Sequence, residues 1–211
     1  MEDDERTIRA AWARLGAPPA AAQLEHLLRC YREPHRRYHT LAHLAAVVDT
    51  IAVLETHLTD GEQCDTHAVV LAALFHDVVY QPLSADNEAL SAQLAVTCAR
   101  DLGWSPERCA DVERLVLATA LHHAAAADEA LLLDADLAVL AASPGEYADY
   151  VRAVRAEYAD VSDDAWRRGR ADVLRRLLAT PSLFATAHMR RSAEVPARAN
   201  LTAELATLTD S

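Results

Sequence analysis

Residues 68–75 read Ala-Val-Val-Leu-Ala-Ala-Leu-Phe, an unbroken apolar run that ends directly on His76-Asp77. A helix that is apolar on every side has no face for solvent, so it must lie at the centre of its fold. Other helices are needed to wrap it. The composition agrees. Of 211 residues, 52% are hydrophobic but only 5% aromatic, and Ala and Leu dominate; both are strong helix formers. We expect an all-α fold in one domain, a helical bundle with its core at about 20–142 and further C-terminal helices at about 143–211.

Start and stop signals divide the chain into ten expected helices. The first runs from Asp4 to Leu15 and stops at Gly16-Ala-Pro-Pro. The second covers Ala20 to Tyr31. A polar junction follows, Arg32-Glu-Pro-His-Arg-Arg-Tyr-His, in which Pro34 disfavours helix at Glu33. Thr40 is a candidate cap for a third helix, Leu41 to Leu58, whose residues Leu44, Val47, Val48, Ile51 and Leu54 keep helical spacing. The fourth covers Gln63 to Val78. Ser84 or Asp86 could cap a fifth, Asn87 to Leu102. Ser105-Pro106 opens a sixth that runs to His122 or His123. The seventh spans Asp128 to Ala142, the eighth Ser143 to Asp160, the ninth Ser162 to Ala179, and the last Pro196 to Leu208. No segment shows sustained strand alternation, and there is no internal repeat.

The formal charge is −12. Nucleic-acid surfaces need clustered cations, so no such polymer is an expected partner. A small phosphorylated substrate is not excluded, because a metal ion and a few arginines dominate at short range. No apolar run approaches the roughly 20 residues that cross a bilayer, and no membrane partner is expected. The N-terminal Met1-Glu-Asp-Asp-Glu-Arg is acidic, unlike a secretory signal, so a cytoplasmic location is expected. Cys30, Cys64, Cys98 and Cys109 form no CxxC pair and read as small apolar residues in a reducing compartment. Surface Ala and Leu leave a homodimer open.

His76-Asp77 carries the chemistry. Neighbours on a helix point about 100° apart, yet an imidazole nitrogen and a carboxylate oxygen can converge on an ion between them. His43, in Tyr-His-Thr-Leu-Ala-His-Leu, and Asp136, in Leu-Leu-Leu-Asp-Ala-Asp-Leu, also lie on apolar segments. A buried Asp is rare unless paired or coordinated. His43, His76, Asp77 and Asp136 together suit a divalent metal; the competing reading is a buried salt-bridge or cap network. His39 and His43 form an i, i+4 pair that could also chelate.

The order His43, His76-Asp77, Asp136 resembles the HD superfamily of metal-dependent phosphohydrolases. Val47 follows His43 as in the family's His-x-x-x-Val. The wider chain is similar to a bacterial subfamily of predicted HD phosphohydrolases, through Tyr31-Arg-Glu-Pro-His-Arg-Arg-Tyr-His39, Phe75-His-Asp-Val-Val-Tyr80, Asn87-Glu-Ala-Leu-Ser-Ala92, Asp134-Ala-Asp-Leu137, Gly169-Arg170 and Asn200-Leu201. The resemblance implies His43 as ligand, with His39 beside it as a substrate contact, and a metal-dependent phosphohydrolase. Asp134 then takes a supporting or capping role. His122-His123 sits where some members hold a second metal; one such pair argues for a single ion.

Two imidazoles and two carboxylates leave about two positions open on a six-coordinate ion. Mn is the favoured ion; Fe, Co, Ni and Zn suit the same donors. Asp77 is counted as catalytic as well as ligating. Glu88 is a candidate general acid or acceptor for a substrate hydroxyl, unless it is only a first-turn glutamate. Arg36 is the candidate phosphate clamp, since guanidinium pairs bidentately with phosphate; a solvated Arg36-Arg37 pair is the alternative. Asn87 joins His39 and Arg36 as a substrate-binding candidate. His122 could stabilise or protonate the leaving oxygen, or simply be a cation at a helix C-terminus. Arg168 and Arg170 read as structural. A different functional class also fits: a regulatory module that holds metal or nucleotide without turnover.

Overall fold

A computed structural model describes residues 2–16, 22–59 and 64–209. Those residues contain no strand. They form α1 (Glu2–Arg14), α2 (Ala22–Cys30), α3 (Leu41–Glu55), α4 (Thr66–Phe75), α5 (Asn87–Asp101), α6 (Pro106–Ala118), α7 (Ala127–Asp136), α8 (Pro144–Glu157), α9 (Asp163–Ala179), α10 (Ala187–Ser192) and α11 (Glu194–Thr209), with a 3₁₀ turn at Leu137–Ala141. The chain is all-α. The expected starts of the second helix at Ala20 and the fourth at Gln63 lie outside the described residues.

α4 is the central helix. Every residue from Ala68 to Phe75 is buried, and α4 touches α1, α3, α5, α6 and α7. Its N-terminus is held by Asp65, which accepts from the His67 and Ala68 N–H groups. α5 and α6 pair along their length, and α11 packs on α9 and the 3₁₀ turn. One continuous buried cluster runs from Ile8 in α1 to Leu201 in α11.

Three helices start on local chemistry. Ser105 accepts from Arg108 N–H with Pro106 behind it, Ser143 and Glu146 form a reciprocal capping box, and Ser162 accepts from Ala165 N–H. Thr40 and Asp86 stand at cap positions, but neither side chain makes a capping bond.

Several helices stop sooner than their apolar patterns suggest, and the stops shape the site. α4 ends at Phe75 rather than Val78. There the His76 ring takes the Ala73 carbonyl, and Arg36 takes the carbonyls of Asp77 and Val78. α6 ends at Ala118 rather than His122, with the Thr119 hydroxyl on the Val116 carbonyl and His122 at φ +48°. α7 tightens into the 3₁₀ turn after Asp136 instead of continuing to Ala142. Asn200 of α11 pins that turn through the Leu140 and Ala142 carbonyls. The short α10 was not expected; Thr186 caps it on Met189 N–H. None of the described helices is long and apolar enough to cross a membrane.

Candidate metal centre

His43 comes from the first turn of α3, His76 and Asp77 from the end of α4, and Asp136 from the end of α7. The two imidazoles are buried. His43 Nε2 and His76 Nε2 are 3.4 Å apart. Asp136 Oδ1 lies 3.3 Å from His43 Nε2 and 3.5 Å from His76 Nε2. Asp77 Oδ2 lies 3.1 Å from His76 Nε2 and 3.9 Å from His43 Nε2.

The tautomer of His76 is set by its neighbour. Its Nδ1 donates to the Ala73 carbonyl at 2.8 Å, so in the neutral ring Nε2 presents a lone pair. That lone pair meets two carboxylate oxygens and a second imidazole. Acceptors converge there, and a cation resolves the conflict. Donors about 2.1 Å from an ion stand about 3.0–3.4 Å from one another, close to the separations found. His43, His76 and Asp77 could therefore hold a metal ion, and Asp136 Oδ1 stands against the same two imidazoles.

The protonation preferences follow the same field. Burial works against charge on His76, yet Asp77, Tyr31 and Asp136 hold its proton affinity well above the usual imidazole range. On His43 burial prevails over Asp136 and the affinity falls. Burial also opposes ionisation of both carboxylates. His76 and His39 keep Asp77 below the usual carboxylate range, and His122, His43 and His76 keep Asp136 well below it. The cluster attracts a positive charge, and a metal and a proton compete for it.

A cavity of about 530 Å³ opens on this cluster. It is lined by His39, His76, Asp77, Glu88, His122 and Asp136, and by Tyr38, Tyr80, Tyr150 and Tyr158. A second hollow of about 500 Å³ is lined by His43 and shares Tyr38, Asp136, Val139 and Tyr150 with the first. His122 Nε2 sits 3.2 Å from Asp136 Oδ2, the oxygen turned away from the two imidazoles.

His39 stands at the cavity wall, its Nε2 3.8 Å from Asp77 Oδ2. Its Nδ1 bonds Glu157 Oε2 at 2.7 Å. Burial opposes a proton on His39, but Asp77 and Glu157 outweigh it and raise the proton affinity. Glu157, in α8, is the residue that sequence reasoning missed. Its Oε1 accepts the backbone N–H groups of Arg37, Tyr38 and His39 at 2.7, 2.8 and 3.0 Å, and its Oε2 also accepts from the Tyr80 hydroxyl at 2.9 Å. Burial would raise its pKa, but these donors hold it down at about 2.

Two expected substrate contacts are corrected. Arg36 is not free to clamp a phosphate: its side chain is fully buried. Its guanidinium is committed to the carbonyls of His39, Asp77 and Val78 and to Glu33. It ties the Arg36–His39 junction to the end of α4. Asn87 reaches the cavity wall, but its Oδ1 accepts Gln81 N–H and its Nδ2 donates to the Gln81 carbonyl, so it fastens the loop before α5. Asp134 points away from the cluster and accepts the Ala185 and Thr186 N–H groups, both at 2.7 Å. Arg170 pairs with Glu204. All four cysteines are free thiols.

No family model, curated protein or solved structure matches the chain.

Proposed function

We propose that this chain is a metal-dependent phosphohydrolase of the HD type, acting on a small phosphorylated metabolite, a phosphomonoester or a nucleotide phosphoanhydride, with one divalent ion, Mn by preference. The observation that carries the reading is the convergence of His43 Nε2, His76 Nε2, Asp77 Oδ2 and Asp136 Oδ1, each within 4 Å of His43 or His76 Nε2, with His76, Asp77 and Asp136 on the wall of a cavity large enough for such a metabolite. A divalent ion supplies Lewis acidity, activating water near neutral pH and polarising a phosphoryl group.

The remaining work belongs to side chains. Glu157 fixes the His39 ring with Nδ1 as donor, which leaves Nε2 facing the cavity to receive or relay a proton. His122 stands beside Asp136 on the open side, where it can donate to a departing oxygen. Glu88 projects from the first turn of α5 and can accept from a substrate hydroxyl. The tyrosine walls limit water around the reacting group.

The test is phosphate release from a panel of nucleotides and sugar phosphates with Mn, repeated on Asp77→Ala. Release by the native chain and loss of about 10³-fold or more in the variant is expected, the scale of removing a group that organises the reaction centre. Equal release by the variant excludes this centre as the seat of the activity. Tight nucleotide binding without product would favour the regulatory module instead.

A further inference from the structure

The carboxylates on the wall of the cavity have almost no permanent cation beside them. Asp77, Glu88 and Asp136 line the cavity, and the only Arg or Lys among its described lining residues is Arg170. The chain has no lysine at all, so arginine is the one permanent cation available. Arg170 is committed: its Nε donates to Glu204 Oε1 at 2.7 Å and its Nη2 to Glu204 Oε2 at 3.0 Å, with the Tyr150 ring beneath the guanidinium. Arg36, close to the cluster, is spent on carbonyls, and Arg37, which lines the second hollow, donates to the Pro34 and Arg36 carbonyls. Sites that take polyphosphates surround each phosphoryl group with Lys, Arg or metal. Here a single divalent ion can balance one phosphoryl group; His39 and His122 are taken up by the reacting group, and no free Lys or Arg among the described lining residues balances a second or third.

Part of the cavity lining is apolar. Leu140, Val154, Val173 and Leu177 form it, and the rings of Tyr38 and Tyr150 add to the lining. At the mouth stands Leu83, 75% exposed. Among the described residues only Leu83 (φ +69°) and His122 (φ +48°) are non-glycine residues with left-handed backbone, and both line this cavity. Such backbone is unfavourable for leucine and tends to mark functional positions. Leu83 lies outside the buried core cluster, so core packing does not account for a leucine held this way at the edge of the cavity.

We infer that the substrate is a monoester with a single phosphoryl group on an uncharged, ring-bearing body, and that Leu83 is a specificity residue that closes over that body. This rests on the phosphohydrolase reading and narrows it: polyphosphates and polyol phosphates are excluded as preferred substrates. The phosphoryl group faces the ion site, and the ring lies against Leu83, Val173 and Leu177.

The test compares kcat/KM of the Mn-loaded full chain for benzyl phosphate against glycerol 3-phosphate, and for AMP against ATP. Benzyl phosphate and glycerol 3-phosphate leave similar alkoxides, so their ratio reads the pocket rather than bond strength. Each ratio should favour the first compound by about tenfold or more, the benzyl ratio through burial of a ring and the AMP ratio because the extra phosphoryl groups of ATP meet no balancing cation. Leu83→Asn, a residue that accepts left-handed backbone, should shrink the benzyl preference by about fivefold or more while Tm stays level or rises. A role confined to folding would move Tm and leave the ratio untouched. Preference for ATP or glycerol 3-phosphate, or an unchanged ratio in Leu83→Asn, overturns the inference. Calorimetry with benzylphosphonate separates the two readings. Binding that weakens in Leu83→Asn, with no phosphate released from any compound, would sink the hydrolase and keep the pocket assignment; no binding and no release would sink both.

Discussion

Glu157→Gln isolates the buried carboxylate that holds the Arg37–His39 backbone. In the native chain five donors meet one fully buried side chain: three backbone N–H groups, the His39 ring and the Tyr80 hydroxyl. Glutamine keeps the shape and one acceptor oxygen but loses the charge, and it sets an NH₂ group against one side of the cluster. The ionised form is favoured strongly enough to bring the pKa from a free glutamate's 4.5 to about 2. At about 1.4 kcal/mol per pH unit, that preference contributes about 3 kcal/mol to folding at neutral pH. For a chain of this size it corresponds to a Tm drop of about 6–12 °C in the variant. The sign with pH is fixed by the lowered pKa. The contribution is complete above about pH 4.5 and drains away as pH falls toward about 2, so the gap between native and variant chains should narrow through that window. Thermal melts followed by circular dichroism, in chelator so that no ion contributes, at neutral pH and in steps down to about pH 3, measure it. A variant that melts with the native chain at neutral pH, or a gap that holds constant into acid, would refute the assignment of Glu157 as the anchor of the junction.

Arg36→Ala should lower stability by about 3 kcal/mol, because it orphans three backbone carbonyls and removes a buried cation from them; urea unfolding measures this, and native stability with a raised KM would restore the phosphate-clamp role instead. Glu88→Gln should lower kcat by about 10²-fold or more, the scale of a lost general acid or base, with metal content unchanged by elemental analysis; a native kcat would remove Glu88 from the chemistry.

The local features of this fold were legible in the residues. The all-round apolar segment before His76 could only be a central helix, and Ser105-Pro106, Ser143 and Ser162 announced their helices through capping chemistry that needs three or four residues. The approach of His43, His76, Asp77 and Asp136 was suggested by polar side chains on apolar helices, a conflict visible without knowing the packing. Long-range partners were not legible. Glu157 bonds residues 118 to 120 positions away, and nothing in Val-Arg-Ala-Glu-Tyr distinguishes it from a surface glutamate. Arg36-Arg37 offers two guanidinium groups, and only the turn before α3 decides which is drawn inward to the carbonyls of Asp77 and Val78. Asn87 stands beside the cavity as its position suggested, but the loop folds back and consumes its amide. Helix ends were misjudged where side chains, rather than a break in the apolar pattern, stop the helix: His76 and Arg36 at α4, and Thr119 at α6.

Anomalous diffraction at the Mn edge from crystals grown with Mn tests the central claim directly. One ion per chain is expected, about 2.0–2.3 Å from His43 Nε2, His76 Nε2 and an oxygen of each of Asp77 and Asp136. A peak elsewhere in the chain, or four side chains gathered as described with no ion among them at saturating Mn, would contradict it.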